Sequence, residues 1–223
     1  MLENGEIAIA IAAATEDGQL TPTTKGKPLD LAARGFADQL DWLNLPYAST
    51  AQPRGGNAWQ QRTVRNTAVT TPEPGVVRAT GASTQLPQLE VATTYRLTAG
   101  ARAISASSGF RNGGSAPVTV WVGDAIDYDG PGQRSGVAGH GTITMGPNDF
   151  APKGRWIGMT GTDGQLYGLV YEEDGWTAYA TGIWALSQRK VTIAPGETFT
   201  LARRIVAVAA ARDGDPWAPL DAF

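Results

Sequence analysis

The sequence predicts an all-β protein, a large antiparallel β-sandwich of two sheets with one or two short helices. Three observations predict it. Apolar residues recur with a period of two in one segment after another. Turn-forming Asp-Gly and Pro-Gly pairs separate those segments about every ten residues. Nowhere does a strand pattern alternate with a helical one, as a parallel α/β sheet would require.

Taken in order, Ile7, Ile9 and Ile11 alternate with alanines and predict a first strand, followed by turns at Asp17-Gly18 and Gly26-Lys27-Pro28. Phe36, Leu40 and Leu43 are spaced i, i+4, i+7, which predicts a helix over 36–45 that Pro46 ends. Residues 46–64, rich in Pro, Gly, Gln and Arg, read as a long loop. Strand patterns then dominate: Val91, Thr93, Tyr95 and Leu97; Ile104, Ala106, Ser108 and Phe110; Val118, Val120 and Val122 around Thr119 and Trp121. Gln165 to Tyr171 reads as a strand, and Asp174-Gly175 is expected to lead it as a meander into residues 176–180. Val191 and Ile193 approach the turn Pro195-Gly196-Glu197, after which Phe199, Leu201, Arg203 and Ile205 alternate. No composition shift marks a linker, so residues 1–223 read as a single domain, a size that sandwiches reach without division.

Composition narrows the function classes. The 223 residues carry 18 basic and 21 acidic side chains with no basic block, which argues against nucleic acid as a partner. The chain has no Cys and one His, so disulfides, thiolate chemistry and multi-histidine zinc sites are excluded. The apolar run Ile7 to Ala14 is too short to span a bilayer and follows glutamates rather than a basic segment, so no membrane insertion is expected. Composition does not fix the compartment.

Several motifs resemble those of the galactose-mutarotase-like (supersandwich) carbohydrate-associated proteins. Leu2-Glu3-Asn4-Gly5 with the following alternation and Asp17-Gly18 is similar to their first hairpin. Val91-x-x-x-Tyr95-x-Leu97-x-x-Gly100, then Ile104 to Phe110 and Asn112-Gly113-Gly114, resembles their central strand pair, and Val191 to Phe199 their closing hairpin. The resemblance implies a twisted two-sheet sandwich whose concave face often holds carbohydrate. It also implies a piece of a longer exported protein, periplasmic or secreted, with any signal segment outside these residues and neighbouring domains as partners. Epimerases of this kind pair a histidine acid with a glutamate base, a pair that this sequence does not match residue by residue. The fold alone leaves activity open.

Candidate site residues follow from chemistry. His140, in Gly139-His140-Gly141, is the only imidazole and the natural acid or base near neutral pH. Asp124, Asp127 and Asp129 precede Gly130 and Gly132 in the densest acidic cluster. That cluster has three readings: a calcium site, a sugar-contacting loop or a solvated turn. No other cofactor is expected. Trp121, Arg155 and Trp156 could add aromatic plates and a guanidinium, so Trp121, Asp124, Asp127, His140, Arg155 and Trp156 are expected to meet at one rim of a sheet and bind a sugar. Two functions are weighed. One is a non-catalytic carbohydrate-binding domain. The alternative is a carbohydrate-active enzyme, an aldose epimerase or glycosidase, in which His140 acts with Asp124 or Asp127.

Overall fold

The alternating valines at 118, 120 and 122 point into an interior that lies between two antiparallel sheets. The computed structural model describes residues 1–13, 25–54, 64–128, 132–144 and 146–223, with the backbone alone at 40–42 and 128. The strands are β1 (Leu2–Glu3), β2 (Ile7–Ile11), β3 (Pro28–Ala33), β4 (Leu40–Ser49), β5 (Val64–Glu73), β6 (Val76–Ser83), β7 (Leu89–Arg96), β8 (Ala103–Asn112), β9 (Val118–Tyr128), β10 (Arg134–Val137), β11 (Gly141–Thr142), β12 (Asn148–Phe150), β13 (Trp156–Thr160), β14 (Gln165–Tyr171), β15 (Thr177–Ala180), β16 (Trp184–Ile193) and β17 (Thr198–Ala209). Nine strands form one sheet in the order β11-β10-β13-β14-β17-β8-β7-β6-β5, and five form its partner, β12-β15-β16-β9-β4. The first three strands make a small third sheet. Every ladder is antiparallel.

Within each strand the side chains alternate between faces. Tyr167, Leu169, Ile205 and Leu201 face the inter-sheet core, together with Val120, Val122, Phe110 and Tyr95. Leu166, Val170, Val206 and Val208 face the other way, yet they too are buried. The chain end covers them. Residues 218–222 form a short 3-10 helix whose Leu220, with the preceding Trp217, lies flat on the outer face of the nine-stranded sheet. Glycines make that contact possible. Gly136, Gly158 and Gly168 are ladder partners across β10, β13 and β14. A Cβ at Gly136 would stand 2.5 Å from the Trp217 ring, and one at Gly168 would stand 2.6 Å from a Leu220 methyl. The stripe is a bare strip of backbone shaped for this tail.

Three expectations are corrected. Residues 36–45 are not helical: β4 begins at Leu40 and runs through Pro46 to Ser49. Leu43, Leu45 and Tyr47 are all buried, and the ladder with β9 decides against the helical spacing of Phe36, Leu40 and Leu43. Asp174-Gly175 does not join a hairpin, because β14 pairs with β13 and β17 while β15 pairs in the other sheet. Pro195-Gly196-Glu197 likewise carries the chain from β16 in one sheet to β17 in the other. Turn chemistry reports that the chain reverses but not which sheet it enters. The expected turn at Asp17-Gly18 lies outside the described residues.

Of the residues expected in the core, Val118, Val120, Val122, Ile193 and Ile205 are buried and Val191 is half-buried. The tail makes a prediction of its own. Trp217 is 1% exposed, and Trp217→Ala should lower the unfolding free energy by about 3–5 kcal/mol, the usual range for truncating a buried tryptophan. Denaturant titration checks it, and a change under about 1 kcal/mol would show that the tail is an ornament rather than part of the core.

Candidate functional site

The most concentrated polar chemistry in the molecule is sealed between the sheets. Arg203 of β17 and Asp124 of β9 are both fully buried and form an ion pair, with Nε 2.9 Å from Oδ2. Nη2 donates to Oδ1 at 3.0 Å, whereas the Nε–H is not aligned for a hydrogen bond. Nη1 donates to Ser108 Oγ, which in turn lies 2.8 Å from Thr93 Oγ1. On the other side, Tyr171 Oη lies 3.2 Å from Asp124 Oδ2 and also contacts Ser187 Oγ. The Asp124 backbone N–H donates to Ser187 Oγ at 3.0 Å, and Tyr47 donates to the Ser187 carbonyl at 2.6 Å. Strands β7, β8, β14 and β17 of one sheet are thereby tied to β4, β9 and β16 of the other. Burial, with the Asp124 carboxylate adding to it, pushes the Tyr47 and Tyr171 phenols well above their ordinary value, so both remain protonated donors.

The sequence-predicted site residues do not meet at one rim. Alternation along β9 turns Asp124 inward while Trp121 and Asp127 face outward from the five-stranded sheet, where Trp121 pairs with Lys190 and Asp127 with Trp184. Asp124 has no exposed surface and is already neutralised by Arg203, so it is open neither to a substrate nor to a cation. Asp129 lies outside the described residues, and among the described residues no group of three His, Asp or Glu could hold a metal. His140 sits in an exposed turn after β10, its Nε2 2.9 Å from the Ala151 carbonyl and its ring edge-on to Phe150. A carbonyl can only accept, so Nε2 carries the proton and serves the turn. His140 and Asp124 share no contact. Trp156 is 4% exposed, stacked on Trp217 at a centroid distance of 5.3 Å, with Nε1 donating to Asp221. No face of that ring is left for a sugar. Arg155 is exposed, paired with Asp174 and bonded to the Glu172 carbonyl. It borders a hollow of about 600 Å³ under the tail, with Arg204, Asp221 and Phe223. The rim fails on the alternation along β9 and on a second point. The segment leaving β9 does not return to its own sheet but passes to β10 in the other.

A larger hollow, about 850 Å³, lies on the outer face of the nine-stranded sheet at β5–β8 and β17. Its volume falls in the range of small-molecule sites. Ala82, Ala92 and Gly109 make a low floor, Thr67, Thr80 and Thr198 supply hydroxyls, and Arg65, Arg78, Glu90 and Arg111 stand around it. Among the described residues Glu90 is its one carboxylate, accepting from Arg111 at 3.2 and 3.1 Å.

Solved structures bear on this architecture. A putative aldose 1-epimerase from Escherichia coli K12 superposes with a TM-score of 0.61 at 11% identity, over 93% of this chain and 98% of that one. A galactose mutarotase-like protein from Lactobacillus casei ATCC 334 superposes at 0.53 with 13% identity, over 93% and 99%. The fold is that of the galactose-mutarotase-like proteins. A TPR-domain containing protein from Parabacteroides distasonis ATCC 8503 matches at 0.60 with 11% identity over 95% of this chain, which spans 47% of that protein's length. No protein-family model and no curated protein matches the sequence.

Within this mutarotase-like sandwich the hollow is a candidate site that sequence reasoning missed. The signal was present in the outward positions of consecutive strands: Arg78, Thr80 and Ala82, then Glu90 and Ala92, then Gly109 and Arg111. It needed the strand order before these could be placed side by side.

The buried pair yields a pH prediction. Burial raises the Asp124 carboxyl from its ordinary 3.8 to about 6, against the downward pull of Arg203 and of the Tyr171 hydrogen bond. A carboxyl whose folded pKa lies above the unfolded one binds its proton more tightly when folded. That contribution is complete below 3.8 and lost as pH rises through about 6. The stability of the wild type relative to Asp124→Asn should therefore fall between pH 4 and pH 7, on the order of 2–3 kcal/mol. Urea titrations of both proteins at the two pH values check it, and a difference that does not change with pH contradicts it.

Proposed function

We propose that the protein is a non-catalytic carbohydrate-binding module of a larger exported protein, and that it binds sugar in the hollow on the outer face of β5–β8 and β17. The observation that carries this reading is the chemistry of that hollow. Its described lining offers hydroxyls, guanidinium groups and a small-residue floor, but a single carboxylate that is held by Arg111. Among the described residues lining it there is no imidazole, amine or phenol. Acid–base catalysis on a sugar needs two titratable groups flanking the reacting bond. Binding needs only donors and acceptors around a floor that admits a ring. The expected acid–base pair, His140 and Asp124, is apart, each member engaged elsewhere. Similar structures include a putative aldose 1-epimerase and a galactose mutarotase-like protein, and the match to about half of a TPR-domain protein is consistent with a module.

The test is calorimetry against an oligosaccharide panel, with two variants. Ala92→Trp fills the floor and should abolish binding while leaving the circular dichroism spectrum unchanged. His140→Ala should leave the affinity within about twofold, the effect of a neutral surface change. Mutarotation of free aldoses should not exceed the buffer rate. Turnover that disappears in His140→Ala would overturn the reading in favour of an enzyme.

A further inference from the structure

One row of residues crosses the hollow. Arg65 on β5, Ala82 on β6, Glu90 on β7, Arg111 on β8 and Thr198 on β17 are successive ladder partners. Glu90 and Arg111 neutralise each other across β7 and β8. Arg65 and Arg78 are exposed, and among the described residues neither forms an ion pair. Arg78 lies four residues along β6 from Ala82, about 13 Å at the rise of an antiparallel strand, so the two free guanidinium groups stand at separate corners of the floor. The described lining thus carries an excess of two positive charges in a chain whose net charge is −3.

Among the described residues that line it there is no aromatic side chain. A neutral sugar is ordinarily gripped by stacking its C–H face on a ring, and the described lining offers none. What remains is charge and hydrogen bonding. Guanidinium forks match carboxylate and sulfate groups in bidentate geometry, and the threonine hydroxyls can bond to sugar hydroxyls. A nucleic acid is disfavoured by the negative net charge, and the described lining has no ring on which a base could stack.

We infer that the hollow takes an anionic oligosaccharide whose carboxylate or sulfate groups pair with Arg65 and Arg78 above the Ala82–Ala92 floor. This rests on the reading of the hollow as the carbohydrate site. The separation of the two arginines calls for a ligand longer than one sugar ring.

Calorimetry of the intact chain tests it with an oligogalacturonate, a sulfated oligogalactan and an uncharged xylo-oligosaccharide of similar length. At least one acidic probe should bind, more weakly as salt is raised, and the double variant Arg65→Gln/Arg78→Gln should weaken it by about tenfold or more. Carboxylate and sulfate are told apart by which acidic probe binds. If the uncharged probe binds as tightly, and its affinity survives the double variant but is lost in Ala92→Trp, the anionic assignment is overturned while the carbohydrate reading stands. Acidic binding that is lost in Ala92→Trp but survives the double variant overturns the assignment to these arginines. No binding by any probe, or binding that survives Ala92→Trp, overturns both the inference and the reading beneath it.

Discussion

Between the two sheets, Arg203 and Asp124 neutralise each other with no exposed surface, and the rest of the interior is arranged around that constraint. Two charges withdrawn from water are tolerable only where partner and hydrogen bonds replace the lost solvation, and removing one partner of such a pair typically costs about 3–5 kcal/mol. Ser108 and Tyr171 bond to the pair directly, Thr93, Ser187 and Tyr47 hold the surrounding network, and these residues come from both sheets. The pair therefore fixes how β9 sits against β17. It also draws one of the two carboxylates expected to partner His140 into a structural role. A side chain that composition marks as a candidate acid is, in the fold, the counterion of an arginine.

The same sheet has two different outer surfaces. At β10, β13 and β14 the glycine stripe is covered by Trp217 and Leu220, which bury Trp156 and give β14 apolar neighbours on both sides. At β5–β8 nothing among the described residues covers the surface, and small residues in the middle of the strands leave a hollow rimmed by longer side chains. The first surface completes the core. The second leaves room for a ligand.

Much of this architecture was legible in the sequence. Period-two alternation located β2, β7, β8, β9 and β17, and Gln165–Tyr171 was read with the bounds that β14 has. The failures share a cause. Phe36, Leu40 and Leu43 carry helical spacing, but pairing with β9 is a long-range term that no local window contains. The turns at Asp174-Gly175 and Pro195-Gly196 were visible, but their crossing between sheets was not. The expected sugar rim failed on the same point, because sequence neighbours such as Trp121 and Asp124 fall on opposite faces of one strand, while Arg65, Glu90 and Arg111, distant in sequence, fall in one row. Sites built across a sheet are assembled by strand order, and motifs read along the chain do not contain it.

The central claim is that this sandwich is used on the open outer face of its larger sheet, rather than at the turn that carries its only histidine. Hydrogen–deuterium exchange, measured with and without a saturating oligosaccharide, tests it most directly. Added protection should concentrate in β6, β7 and β8, over residues 76–84, 89–92 and 107–111, and leave residues 137–142 unchanged. Protection centred on residues 121–142, with none at β6–β8, would contradict the claim.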